Sequence, residues 1–140
     1  MAQAIQVCEI DEELKAQLKK FRFRKDKNIS AIVCKIKETT VIIDEQYEDI
    51  SLEDLQEEVP STQARFIFLS YCLNHSDGRI SYPLCFIYLH PRGTKPEQGM
   101  KYSGTKLHLQ KESGVTKCFD LTNVEDLTKE WLEGKLSFFG

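Results

Sequence analysis

The order of elements in this 140-residue chain predicts a single α/β domain of the α+β type, covering residues 1–140. Its core is a mixed five-stranded sheet, four strands antiparallel and one parallel, with helices on both faces. Three observations carry that prediction. Ile80 to Leu89 is too rich in apolar residues to leave either side in water, so both of its faces are covered. An equally apolar run, Arg65 to Cys72, precedes it across the turn residues His75-Ser-Asp-Gly78, which makes the two a hairpin. A helix from about Pro96 to Lys111 then separates that hairpin from a short strand, Lys117 to Leu121. Such a strand-helix-strand crossover sets the last strand parallel to its neighbour, with a right-handed connection.

The remaining elements follow from spacing and punctuation. Ile10, Leu14, Leu18 and Phe21 recur at helical spacing after Asp11, a natural N-cap. Ala31 to Ile36 and Val41 to Asp44 read as two short strands. Ser51-Leu-Glu-Asp54 is a capping box, with Ile50 and Leu55 as its staple, and Pro60 ends the short helix. Pro83 brings no N–H to the hairpin's second strand, so it belongs at a bulge or where no ladder partner exists. Pro96 suits a first helical turn. Asn123-Val-Glu-Asp126 is expected to cap the last helix, with Val124, Leu127 and Trp131 facing inward.

Composition narrows the function. Hydrophobic residues make up 41% of the chain and charged residues 29%, the balance of a soluble globular domain. No apolar run approaches a membrane span, and the first residues lack the basic start and apolar stretch of a signal peptide, so a cytoplasmic protein is expected. Five cysteines (Cys8, Cys34, Cys72, Cys85, Cys118), none in a Cys-x-x-Cys pair, read as free thiols in a reducing compartment. No metal and no cofactor are expected. A net charge of −3 argues against general nucleic-acid binding. The charge is nevertheless polarised: Lys19 to Lys25 is a basic cluster, whereas every charged residue from Glu38 to Glu58 is acidic. Opposite poles suit a partner with its own charge pattern, although two solvated surfaces would look the same.

The helix after Pro96 is the candidate functional element. Tyr102, Lys106 and Leu109 fall on one side of it, and Met100, Gly104, Leu107 and Lys111 on another. Gly99 and Gly104 each cost about 1 kcal/mol relative to alanine in a helix interior. Two such costs imply close approach of another surface, either a partner's or the protein's own sheet.

Met100-Lys-Tyr-Ser-Gly-Thr-Lys106 resembles the Met-x-Tyr-x-x-x-Lys core of the long helix in the actin-depolymerising-factor homology, or cofilin-like, superfamily. In that superfamily the helix enters the barbed-end groove of actin or an actin-related protein. The resemblance implies that Met100, Lys101, Gly104 and Thr105 contact a partner, and that Tyr102 is core. Cofilin-type proteins carry lysines one and three positions before the methionine, where this chain has Gly99 and Glu97; it also lacks their regulatory serine after the initiator methionine. Weaker binding to actin's acidic surface is therefore expected.

Phe21-Arg-Phe-Arg-Lys25, Gly78-Arg-x-Ser-Tyr-Pro-Leu-Cys-Phe-Ile87, Lys95-Pro-Glu-Gln98 and Trp131-Leu-x-x-Lys-Leu-Ser-Phe-Phe139 resemble the glia maturation factor branch of the superfamily. That likeness implies a monomer that binds the actin-related protein 2/3 complex, dissociates branches and inhibits branch nucleation in the actin cytoskeleton. An actin filament subunit at the branch is the further partner it implies. The alternative is a cofilin-like protein that binds actin monomers and filaments and severs them. One contact surface is expected from the long helix, Glu97 included, with Arg22, Arg24 and Lys25. A second is expected from His75, Asp77 and Arg79 at the hairpin tip, with Lys129 on the last helix.

Simpler roles compete with these. Phe21 and Phe23 among cations could stack on bases; helical spacing instead puts Phe21 in the core. Arg22 and Arg24 could pair with nearby carboxylates, Asp77 and Arg79 could merely solvate a turn, and Leu136 to Phe139 could pack back on the fold. An enzyme is not expected. His75, His90 and His108 are scattered, no nucleophile elbow or phosphate loop is present, and Cys85, which could pair with His90, reads as buried and inert.

Overall fold

A computed structural model describes residues 7–23 and 27–137. Its main sheet has six strands rather than five. In chain order these are β1 (Glu9–Ile10), β2 (Ser30–Lys37), β3 (Thr40–Tyr47), β4 (Arg65–Ser70), β7 (Leu84–Leu89) and β8 (Lys117–Leu121), arranged spatially as β1-β3-β2-β4-β7-β8. β3, β2, β4 and β7 are antiparallel neighbours, and β8 runs parallel to β7 as expected. The added strand is β1, parallel to β3, and it takes Ile10 out of the helix where spacing alone had put it.

The hairpin also departs from two unbroken strands. After Ser70 the chain leaves the main sheet and forms a separate two-stranded ladder, β5 (Leu73–Asn74) with β6 (Ile80–Ser81). Pro83 lies in the gap between β6 and β7, where its carbonyl accepts the Tyr71 N–H at 3.1 Å and its missing N–H costs nothing. Gly78, at φ +92°, makes the turn that closes the tip.

Helices alternate between the two faces. α1 (Glu12–Phe21) and α3 (Pro96–Ser113) cover one side, burying Leu14, Leu18, Phe21, Tyr102 and Leu109 against Ile32, Phe66, Phe68, Phe86 and Tyr88. α2 (Leu52–Glu58) and α4 (Lys129–Leu136) cover the other, burying Leu55, Leu132 and Leu136 against Val33, Ile67, Leu69, Cys85 and Ile87. The alternation of neighbours such as Phe66 and Ile67 between these two clusters is the period-two signature of a sheet covered on both sides.

Side-chain caps fix the starts of α2 and α4, whereas Asp11 precedes α1 without a capping bond. Ser51 Oγ accepts the Asp54 N–H at 3.1 Å, and Pro96 opens α3. Asn123 does not cap the last helix: it precedes a single 3-10 turn, Val124–Asp126. Thr128 caps α4 by accepting the Trp131 N–H at 3.1 Å. Val124 and Leu127 are buried as expected, and the half-buried Trp131 meets Phe119 edge-on. All five thiols are free; Cys8, Cys34 and Cys85 are buried, and Cys72 and Cys118 only half so. Among the described residues no helix is long and apolar enough to cross a membrane.

Candidate functional site: the outer face of the long helix

α3 is anchored by its inner stripe. Tyr102, Thr105, Leu109 and Ser113 are buried, and the Tyr102 hydroxyl accepts the Ile36 N–H at 2.9 Å. Burial pushes the Tyr102 phenol above its ordinary pKa, so it stays a neutral hydrogen-bonding group. Outside, Met100 is 60% exposed and Leu107 57% exposed, with the half-buried Gly104 between them along the same row. An 18-residue helix thus presents apolar side chains to water that its own fold does not use. Gly99 needs no special space either. A Cβ there would find nothing nearer than Thr94 Cγ2 at 4.0 Å, so self-packing does not account for that glycine.

Thr105 is a correction. It was expected at a partner contact, but it is fully buried, and its hydroxyl accepts the Cys8 N–H at 2.9 Å. Its place three residues after Tyr102 and four before Leu109 puts it on the inner stripe, a spacing legible in the chain. Lys101 remains on the surface, but its Nζ donates to the Glu38 carbonyl at 3.1 Å, clasping a turn in which Glu38 holds φ +59°. Glu97 is exposed in the first turn of α3.

Arg22 joins this helix at its other end. The exposed guanidinium lies across Gly114, the left-handed C-cap of α3, where an added Cβ would stand 3.2 Å from its Cζ. From Met100 to Gly114 is 14 residues, about 20 Å along the axis. The apolar end and the arginine end therefore bracket one continuous face. Arg24 and Lys25 lie outside the described residues. Phe23 is 81% exposed and Phe21 buried, so the two do not form a paired stacking platform.

The second group of residues sits elsewhere. Arg65 of β4 pairs with Leu89, from which the chain leads into α3, whereas β5 and β6 follow the Ser70–Leu84 end. Hairpin tip and first turn of α3 thus occupy opposite ends of the sheet. At the tip Arg79 Nε donates to Asp77 Oδ2 at 2.7 Å, the Arg79 N–H donates to Asp77 Oδ1 at 3.1 Å, and His75 Nε2 lies 2.8 Å from Ser81 Oγ. Those two bonds from Arg79 hold the Asp77 carboxyl below its ordinary range. Lys129 is exposed on the first turn of α4, but the hairpin shares its cleft with Leu136 at the far end of that helix, about 10 Å away.

Burial raises the Cys85 thiol to about 12, and Cys85 is sealed in the core while the His90 ring lies tilted against Tyr88. Among the described residues no cluster of three or more His, Cys, Asp or Glu side chains could hold a metal.

Residues 7–137 match the cofilin/tropomyosin-type actin-binding protein family, which is the class that this sheet and its helices define. Human glia maturation factor beta is 49% identical over 99% of both chains, and the Drosophila melanogaster glia maturation factor is 42% identical over 94% of this chain and 96% of its own. The solution structure of glia maturation factor from Caenorhabditis elegans superposes with a TM-score of 0.81 at 38% identity, covering 96% of this chain and 99% of that one. A Plasmodium berghei actin depolymerization factor 2 shares the fold at a TM-score of 0.80 and 20% identity, covering 98% of this chain and 99% of its own. The chain belongs to the glia maturation factor family.

Proposed function

We propose that this protein is a non-enzymatic regulator of branched actin networks that binds the actin-related protein 2/3 complex, dissociates filament branches and inhibits new ones. The observation that carries the reading is Met100, an apolar side chain 60% exposed on a rigid helix whose neighbouring Gly99 lacks a side chain that its own fold has room for. Such a row is suited to slotting into the cleft of an actin-like subunit as a helix-in-groove contact. Glu97, where cofilin-type proteins have a lysine, supports an actin-related subunit over actin itself.

In this mechanism α3 and the Arg22 region, with Arg24 and Lys25, occupy the barbed-end groove of the actin-related subunit. His75, Asp77 and Arg79, with Lys129 on α4, touch the first daughter-filament subunit. The protein promotes debranching by binding the debranched state better than the branched one, since a ligand shifts an equilibrium only by its differential affinity. No covalent step is required. The place of action is the cytoplasmic actin cytoskeleton, at branched networks of the leading edge, and the acting species is the monomer.

Branch lifetimes followed by fluorescence microscopy test this directly. The protein is expected to shorten them and to bind actin monomers poorly. Unchanged lifetimes, together with tight monomer binding, would move the function to the cofilin type.

A further inference from the structure

A recess opens at the end of the sheet where β2 runs on beyond the start of β4. Cys34, opposite Phe66, is the last residue of β2 with a partner in β4. Ile36 therefore has no ladder on that side, and its N–H goes to the Tyr102 hydroxyl instead. The cavity left there has a volume of about 480 Å³, in the range of small-ligand sites. Its walls are this end of β2, the segment before β4, the loop after β7 and the first turn of α3.

Three cations line the recess: Lys35, Arg65 and Lys95. Arg65 lies deepest, its side chain 10% exposed and donating to Asp44 Oδ2 at 3.2 Å, the Ala64 carbonyl at 2.8 Å and Gln63 Oε1 at 3.2 Å. Lys35, with its side chain 39% exposed, holds Asp44 Oδ1 at 3.4 Å. Lys95 is exposed, and its ammonium has neither an ion pair nor a hydrogen bond among the described residues. It is also the N-cap of α3, where its side chain makes no capping bond and the helix dipole opposes a positive charge. A residue set against its local preference, with no return in the fold, points to a role outside it. Glu97, in the same turn, is exposed and is not part of the lining. Three cations less the one carboxylate of Asp44 leave two positive charges unbalanced.

We propose that this recess binds a phosphate monoester, whose charge of about −1.5 to −2 at neutral pH matches the excess. A lone carboxylate would leave part of it unmet. The Lys35 and Lys95 ammoniums, mobile point charges, close on the phosphate oxygens. Arg65 beneath them contributes its charge more than its donors, because Asp44, Ala64 and Gln63 already engage its fork. Thr94 and Gln98 line the same recess and offer neutral hydrogen bonds. The same phosphate group occurs on soluble metabolites and on lipid headgroups, two sources that experiment separates. The site is independent of the docking role proposed for α3.

The test is a nuclear magnetic resonance titration of the isotope-labelled chain with inorganic phosphate, then with glycerol 3-phosphate, at constant ionic strength. Saturable shifts are expected at the backbone N–H groups of Gly93, Thr94 and Gln98, and none with sodium chloride. Lys95→Gln should weaken binding about tenfold, as for loss of one charge-assisted bond, with the thermal midpoint unchanged because Lys95 supports nothing inside. Lys35→Gln should weaken it similarly; should that variant fold poorly once Asp44 loses a partner, Lys95→Gln carries the test alone. Lys111→Gln, 16 residues and about 24 Å along the helix from Lys95, should have no effect. Vesicles of phosphatidylcholine with and without phosphatidic acid then assign the source: retention by the acidic vesicles that Lys95→Gln abolishes marks a headgroup, and no retention marks a soluble ligand. The site is overturned if no saturable shift appears, if Lys95→Gln binds as tightly as Lys111→Gln, or if retention by vesicles survives Lys95→Gln.

Discussion

The outer face of α3 and the β5–β6 hairpin differ in what they leave unspent. The hairpin tip uses its polar groups on itself: Arg79 grips Asp77 twice, and His75 reaches Ser81. A partner arriving there must replace bonds that already exist. α3 divides its work between two sides, with Tyr102, Thr105 and Leu109 holding it to the sheet while Met100 and Leu107 stand in water with no fold-level task. The contrast teaches that a surface is ready to bind when a different set of side chains carries its stability.

Three experiments would break or sharpen that contrast. The largest effect is expected from Met100→Asp, which puts a charge into the apolar row. Affinity for the branching complex should fall on the order of tenfold to a hundredfold, the range of a central contact residue, with the thermal midpoint unchanged because Met100 supports nothing inside. A lowered midpoint would show that the two sides of α3 are not separate. Next comes Tyr102→Phe, which leaves the buried Ile36 N–H without its acceptor and should cost about 1–3 kcal/mol. The urea midpoint should drop at constant slope, and affinity per folded molecule should hold. The smallest effect belongs to Asp77→Ala combined with Arg79→Ala, where binding to the complex alone should change by less than about threefold, as for exposed ion pairs. Debranching should suffer more than binding does; a binding loss as deep as that from Met100→Asp would erase the distinction between the two surfaces.

Local pattern made most of this architecture readable. The apolar stripe of α3, the strand at Lys117–Leu121, its parallel pairing and the role of Pro83 all follow from spacing or from one residue's chemistry. What escaped depends on partners far apart in the chain. β1 exists because Glu9 and Ile10 find Thr40 and Val41, and a two-residue strand carries no periodicity of its own. Lys101 clasps Glu38 across 63 positions, and Thr105 receives Cys8 across 97. Thr105 is the instructive case: three residues after Tyr102 and four before Leu109, it belongs to the inner stripe by spacing, whereas the motif implies an outer role. Asn123 and Thr128 are both acceptable caps by residue type, five positions apart; only Thr128 makes a capping bond, and Asn123 merely precedes the 3-10 turn.

Gly114 ends α3 at φ +74° and carries the Arg22 guanidinium on its bare backbone. A methyl group there would strain the helix terminus and also nudge that arginine off its seat. A residue that never meets a partner would then alter the posture of one proposed to do so, and a binding assay would report a lesion at Arg22 although Arg22 itself had not been changed.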